Sequence, residues 1–480
     1  MFKLIKNEFY KLFHKKSTYI VLGIVLLFLG LVNFIYNHEF NNNMFSSNYI
    51  YGEGYEEDIK KYENDPAHVQ DLVYAKANLE VSNLVKGYKQ NDWEARVLTT
   101  DYLPKVTEYY SYLLVEKNET LANSLKLELD NLKDLIIKGD WKYFVKSDLV
   151  IETSRLRDYK SNLNIDNLSS RDKENIKKQI EVSEEKIKLL NYRLDNNVAY
   201  GDGYLDRAIV AMEQAIVPVV DYKYETNDDL KKENEMPVKE FYENKYIIDN
   251  KVDTNNMQTL RGTIKNLFYE LEFLILVFVI MISGAMVSDE FSKGTIKNLL
   301  TIPYKRSQIL AAKFITCLLM IPFIVLFILL GELIIGGLFF GYSSLSIPVV
   351  NYALSSGTIE TMNIFIYYGL MFVSKLPYLI LLTTLAFAIS TILSNTAFAV
   401  AITFCGYIGS VFINTLAAGY KIKALNYFVT TNWDFSCYLF GGSSAFGIPL
   451  TQAIIVCLVY LLIMLVVTFI VFKKKNIKNI

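Results

Sequence analysis

Asp289-Glu290-Phe291-Ser292-Lys293-Gly294-Thr295-Ile296-Lys297-Asn298-Leu299-Leu300-Thr301-Ile302-Pro303-Tyr304-Lys305-Arg306-Ser307 joins two long apolar runs, Leu267–Val287 and Phe314–Phe340. A run of about 20 apolar residues crosses a bilayer as a helix. The charged stretch, which closes at Lys313, is therefore a connector between two spans. Ile296, Leu299 and Leu300 share one helix face, Thr295 is placed to cap that helix, and Gly294 ends or bends the turn before it. Pro303 stops the helix. Glu290 reads as lying near the start of this short helix, where a carboxylate suits the dipole. Lys305 and Arg306 stand at headgroup level or pair with acidic residues on a partner. A short, sharply bounded amphipathic helix between spans is a surface for another protein to push on.

Four further apolar runs follow the same rule: Ser17–Tyr36, about Leu376–Leu393, Ala397–Ala418 and Leu450–Phe472, which makes six spans. Lys375-Leu376-Pro377 reads as the outer edge of the fourth, with Asn363–Ser374 lying along the interface. The first run is followed by bulky residues Asn33–Asn37, not a small-residue cleavage site, so it reads as an uncleaved anchor. Lys3, Lys6, Lys11, Lys15 and Lys16 place the N-terminus in the cytoplasm, and Lys473, Lys474, Lys475 and Lys478 place the C-terminus there too. Both ends on one side require an even number of spans, and six satisfies that. The connector at 288–313 then faces the cytoplasm and residues 38–266 lie outside. Residues 2–14 form an amphipathic helix, with Phe2, Ile5, Phe9, Leu12 and Phe13 on one face and Lys3, Lys6, Asn7 and Lys11 on the other. Such a helix rests on membrane lipid.

Of the 480 residues 52% are hydrophobic, more than an ordinary soluble protein of this size carries. The net charge of −1 hides an asymmetry: residues 38–262 carry −11, and the rest +10. That acidic region is long enough for its own domain, and helical periodicity dominates it. Leu72, Ala75, Leu79 and Leu84 mark one segment, and Leu121, Leu125, Leu129, Leu132 and Ile136 another. Ile176, Ile180, Ile187 and Leu194 lie in the charged tract Arg171–Asn196, which reads as a helical hairpin or short coiled-coil arm. Its many tyrosines read as core residues with one polar edge.

None of the four cysteines (Cys317, Cys405, Cys437, Cys457) falls in 38–262, so no disulfide framework holds that region. Three histidines and no Cys/His cluster give no metal site. No phosphate loop, G-x-S-x-G or H-E-x-x-H occurs, so no catalytic residue is named, and nothing indicates a nucleic-acid partner. Glu332, inside Leu329-Leu330-Gly331-Glu332-Leu333-Ile334-Ile335, is a costly intramembrane carboxylate that either pairs with a neighbouring helix or snorkels outward.

The succession Asp289-Glu290, Gly294-Thr295, Leu299-Leu300, Pro303, Arg306-Ser307 and Lys313, set between the second and third of six spans, resembles the coupling-helix region of ABC-2 type transporter permeases. The resemblance covers residues 1–37 and 264–480; the long insertion between them departs from the simple members. It implies a mainly α fold, a six-helix transmembrane bundle of the ABC-2 type with a largely helical extracellular domain. The divisions are a cytoplasmic helix at 1–16, the first span at 17–37, the extracellular domain at 38–263, and spans two to six at 264–480 with the coupling helix at 288–306. Asp289, Glu290, Gly294, Thr295, Leu299, Leu300, Pro303 and Arg306 would then couple this chain to cytoplasmic ABC ATPase subunits. Those partners, not this chain, would bind ATP and Mg. A second permease subunit, identical or different, would complete the pathway in a bacterial cell membrane. The segment Tyr420–Pro449, with Trp433, would form short re-entrant helices. Export or removal of a hydrophobic or cationic substrate (antimicrobial peptide, antibiotic or lipid) is the implied work. The reading that competes from another class is a membrane-anchored sensor or scaffold with a ligand-binding extracellular domain.

Overall fold

The computed structural model describes residues 1–42, 54–88, 92–165, 168–201, 203–297, 303–354, 356–420, 422–441, 444 and 446–475. It divides into two compact units, Met1–His38 with Thr254–Ile480, and Glu39–Asp253. Both are helical, and the sheet among the described residues is one hairpin, Val349–Ala353 against Thr358–Met362.

In the first unit, six helices among the described residues are long and apolar enough to cross a membrane: Lys16–His38, Leu260–Ser292, Arg306–Phe340, Ile364–Leu393, Thr396–Ala417 and Leu450–Lys474. Numbered in chain order, the second and fourth form the centre, and the fifth and sixth are the least covered. Leu276, Ile280, Ile324, Leu382 and Phe387 are fully buried between them. Phe412, Ile455 and Leu462 point away from the bundle, as expected where hydrocarbon chains are the solvent. Close approach depends on glycine at two crossings. A Cβ on Gly331 would stand 2.9–3.0 Å from methyls of Leu26 and Leu29 on the first span, and one on Gly284 would stand 3.0 Å from Val400 on the fifth.

The fourth span corrects the sequence expectation. It runs unbroken from Ile364 to Leu393, and Ile364, Tyr367, Tyr368 and Met371 are buried in the bundle, not laid along the interface. Lys375 is therefore inside a helix, not at its edge. Pro377 does not end it, because neighbouring helices and local adjustment re-satisfy the freed backbone groups of membrane helices. The 420–449 segment contains two short 3-10 turns, Lys423–Tyr427 and Phe435–Gly441, and buries Trp433 edge-on to Tyr378 at 5.4 Å.

The second unit is a bundle whose helices include Val69–Val85, Glu119–Ile137, Trp141–Asn162, Ser170–Asp195, Gly203–Tyr224 and Glu235–Asn250. The charged tract is a helix, Ser170–Asp195, that pairs with Trp141–Asn162, with Lys160 2.8 Å from Glu184. It is not a free arm, because Lys178 and Glu181 on the same helix bond Asp221 and Lys223 of Gly203–Tyr224. The tyrosines do serve the core: Tyr102 and Tyr110 both donate to Glu80, at 2.8 and 3.0 Å.

Arg193 is wholly buried in this unit. Its Nη1 donates to Asp206 at 2.6 Å and to the Val198 and Ala199 carbonyls, and its guanidinium lies 4.2 Å from the centre of the Tyr200 ring. Asp206 also accepts from the Gly201 amide at 2.9 Å. Removing one member of a buried pair strands the other charge. Asp206→Ala is expected to destabilise this unit by about 3–5 kcal/mol. Loss of the corresponding transition in thermal unfolding of the intact chain, against little change for Lys245→Ala at an exposed pair, checks it.

Candidate functional site

The second span ends at Ser292, so Glu290 occupies the last turn of a 33-residue helix, not the first turn of a short one. Lys293 follows as the cap, and Gly294 takes φ +68°, a left-handed conformation that glycine adopts without strain. Helix resumes at Ile296. A carboxylate at a helix C-terminus opposes the dipole, so something else must hold Glu290 there.

Three elements supply it. Lys313, near the start of the third span and only 2% exposed, donates to Glu290 Oε1 at 3.1 Å and to Glu8 Oε2 at 2.8 Å. Lys11 of the N-terminal helix Phe2–Phe13 donates to the same Glu290 oxygen at 2.8 Å, and lies 3.4 Å from Glu8. The Thr295 hydroxyl donates to Glu290 Oε2. Two ammoniums and two carboxylates thus form one closed cluster. Beside it, Lys15 donates to Asp289 Oδ2 at 2.7 Å, Lys293 lies 3.6 Å away, and Thr396 of the fifth span donates to Asp289 Oδ1 at 3.3 Å. A half-open cavity of about 400 Å³ is lined by Glu8, Lys11, Lys15, Asp289, Glu290 and Lys313, among others.

Other bonds close the same end of the bundle. The Ser288 amide donates to Ser390 Oγ at 3.1 Å. Lys475, just past the sixth span, donates to the Thr391 and Ile392 carbonyls at 2.9 Å and lies over the Phe291 ring. Arg306 opens the third span and donates to the Lys475 carbonyl at 3.2 Å. Both the N-terminal helix and Lys475 therefore lie at the end that carries Ser288–Lys297 and Arg306.

The structure brings together Asp289, Glu290 and Thr295 from the sequence reading. Arg306 lies nearby without joining the ion cluster, and Pro303 precedes the third span by three residues. Leu299 and Leu300 lie outside the described residues. Sequence reading missed Glu8 and treated Lys313 only as the lysine that closes the connector. Glu8 did carry a signal: it is the sole acid before Glu39, and it falls between Ile5 and Leu12 on the apolar stripe of its helix.

A second polar layer lies at the other end. Glu272 is 18 residues from Glu290 on one helix, about 27 Å at 1.5 Å per residue. Lys375, 6% exposed, donates to Asp434 at 2.7 Å and lies 3.6 Å from Glu272, which also accepts from Tyr378 at 2.9 Å. Burial disfavours the charge on Asp434, but Lys375 and the Ser436 hydrogen bonds outweigh that and hold it below the ordinary carboxylate range. Glu332 lies toward the same end, beside Thr263 near the start of the second span, and Asn33 of the first span donates to it at 2.8 Å. It pairs with a neighbouring helix and is 1% exposed, so it does not snorkel.

Two expectations follow for the ion cluster. Lys313→Met leaves Glu8 and Glu290 with Lys11 as their remaining bridge, and should cost about 3–5 kcal/mol. The double variant Lys313→Met/Glu8→Gln should recover part of that loss in thermal unfolding. Burial disfavours the Lys11 ammonium, but its hydrogen bond to Glu290 and the charges of Glu8 and Glu290 raise its pKa above 10.5. The stability Lys11 contributes is then fully present below 10.5 and is lost as pH rises through the raised value. Lys11→Met should flatten that alkaline limb of a stability-versus-pH curve.

Residues 230–478 match the family described as "Protein of unknown function (DUF2705)". Over 203 residues, 42% of this chain and 64% of the relative, the sequence is 27% identical to the "Uncharacterized protein YhcI" of Bacillus subtilis (strain 168). It is 25% identical over 209 residues, 43% of this chain and 80% of the relative, to the "Uncharacterized membrane protein YdbK" of the same strain. The match to YhcI thus spans less than two thirds of that protein. No solved structure matches. Six membrane-competent helices, together with similarity to a membrane protein, make this a multi-pass membrane protein. With over half its length matched, the chain belongs to the DUF2705 family.

Proposed function

We propose that this chain is the membrane-spanning permease subunit of an ATP-binding cassette exporter of the ABC-2 type, without an ATPase site of its own. The observation that carries the reading is the closed ion cluster at the end of the second span. Glu290 is shared by the N-terminal helix and the third span, while Asp289 beside it bonds Lys15 and the fifth span. A force on the connector that follows would reach all of these elements together, which is what a coupling segment has to do. The connector has an exposed charge for a partner in Lys297.

In this reading residues 288–306 and both termini are cytoplasmic, and 38–263 extracellular. Separate ABC ATPase subunits bind ATP and Mg and dock on the connector. A second permease subunit, identical or different, shares the pathway. The work done is export or removal of a hydrophobic or cationic molecule such as an antimicrobial peptide, an antibiotic or a lipid.

Purification from native membranes should bring an ATP-hydrolysing subunit with the chain. Lys297→Glu, at an exposed position, should cut the ATPase activity of that complex at least about tenfold, a loss of 1.4 kcal/mol or more, while leaving the melting temperature of the chain unchanged. A sensor or scaffold would be isolated without an ATPase and would tolerate the charge reversal.

A further inference from the structure

The link between Glu332 and Asn33 has two oxygens left over. Asn33 is fully buried, and its Nδ2 donates to the Leu29 carbonyl at 2.9 Å and to Glu332 Oε2 at 2.8 Å. That leaves Asn33 Oδ1 and Glu332 Oε1, both buried and both without a hydrogen-bond partner. They converge on one place. The point that a Cβ on Gly336 would occupy is 2.4 Å from Glu332 Oε1 and 3.1 Å from Asn33 Oδ1. Glycine at 336 therefore keeps clear a point that lies within 3.1 Å of both oxygens.

Two acceptors without a donor between them are an unfavourable arrangement in a dry interior. The neighbours relieve it only in part. Thr263 of the second span is a side-chain donor beside the carboxyl, but it shares its one hydroxyl proton with the Leu260 carbonyl at 3.0 Å. Tyr368 of the fourth span donates to the Val325 carbonyl at 2.9 Å. The charged group that acts on Glu332 from the packed elements is Glu270 of the second span, itself bonded by Tyr36, and it is of the same sign.

We infer that Glu332 is a proton-binding site, holding its proton on Oε1 and donating it to Asn33 Oδ1. One proton satisfies both oxygens at once. The acid and the amide then form a cyclic pair: Asn33 Nδ2–H to Glu332 Oε2 in one direction, and Glu332 Oε1–H to Asn33 Oδ1 in the other. Glu332 becomes neutral, which removes the cost of burying a carboxylate without a counter-charge. The pair fastens the first span to the third toward the end opposite the ion cluster, five residues before the first unit gives way to the second.

Gln is the near-isostere of the protonated acid and can make both bonds of the ring, whereas Ala makes neither and leaves Asn33 unpartnered. In full-length protein at neutral pH, Glu332→Gln should melt within about 2 °C of the parent, and Glu332→Ala clearly below it. Dicyclohexylcarbodiimide, which adds to protonated carboxyls in apolar surroundings, should modify Glu332 in membranes at neutral pH, as read by mass spectrometry. A Gln variant that melts as low as the Ala variant overturns the inference. So does an Ala variant that melts like the parent, or a Glu332 that stays unmodified by the carbodiimide.

Discussion

An ammonium buried to 2% exposure can be kept only if its partners are delivered to it, and Lys313 is such a group. An unpaired charge there would cost several kcal/mol, more than a chain of marginal stability can give up at one residue. Its partners come from very different distances in sequence, Glu8 from 305 residues away and Glu290 from 23. Lys11 then offsets the second negative charge. The N-terminal helix is thus fixed by charge pairing as well as by its apolar face, of which Phe13 packs edge-on to Phe323 at 5.1 Å.

The same constraint orders the bundle along its axis. Two layers of buried or half-buried charge bracket the middle of the second span, one around Glu290 and one around Glu272 and Lys375. On the second span they are about 27 Å apart, close to the ~30 Å thickness of a bilayer's hydrocarbon core. Between them, side chains such as Leu276, Ile280 and Leu382 are apolar and buried. Serines and threonines in the slab spend their hydroxyls on their own helix, as Ser283 and Thr383 do on the carbonyls four residues back. The polar layers therefore mark where the protein leaves hydrocarbon, and Glu332 is not as deep as its apolar sequence neighbours suggest.

Six spans and a helical second unit were legible in the sequence because they follow from periodicity and run length. The connector was legible as punctuation, since Gly294 does break the helix; Thr295, read as a cap for the helix that follows, donates to Glu290. What periodicity cannot give is the partner of a charge. Lys375 looked like an edge residue because a lysine beside a proline usually is one. Its partners, Asp434 and Glu272, lie 59 and 103 residues away in sequence, and only the fold brings them together. Glu290 was placed on the wrong side of a helix end because Gly294, four residues later, is equally compatible with a bend within one helix and a stop between two. Glu8 was available to a stricter reading, since a lone acid on the apolar stripe of a basic helix calls for a buried cation.

Sharing of acceptors has a mechanical consequence. Glu290 Oε1 takes both Lys11 and Lys313, and Asp289 takes Lys15 through one oxygen and Thr396 through the other. The Lys313–Glu290 bond cannot lengthen by an ångström without leaving a buried charge underpaired, which costs more than the bond itself is worth. Motion of the connector at this end is therefore all or nothing: the N-terminal helix and the ends of the second, third and fifth spans move as one body, or the cluster opens. A cluster of four exposed ion pairs would have no such property, because each would be worth at most about 1 kcal/mol and could be remade through water. Burial converts ordinary salt bridges into a rigid joint, and in the proposed transporter that joint is where force from outside the chain would enter the membrane.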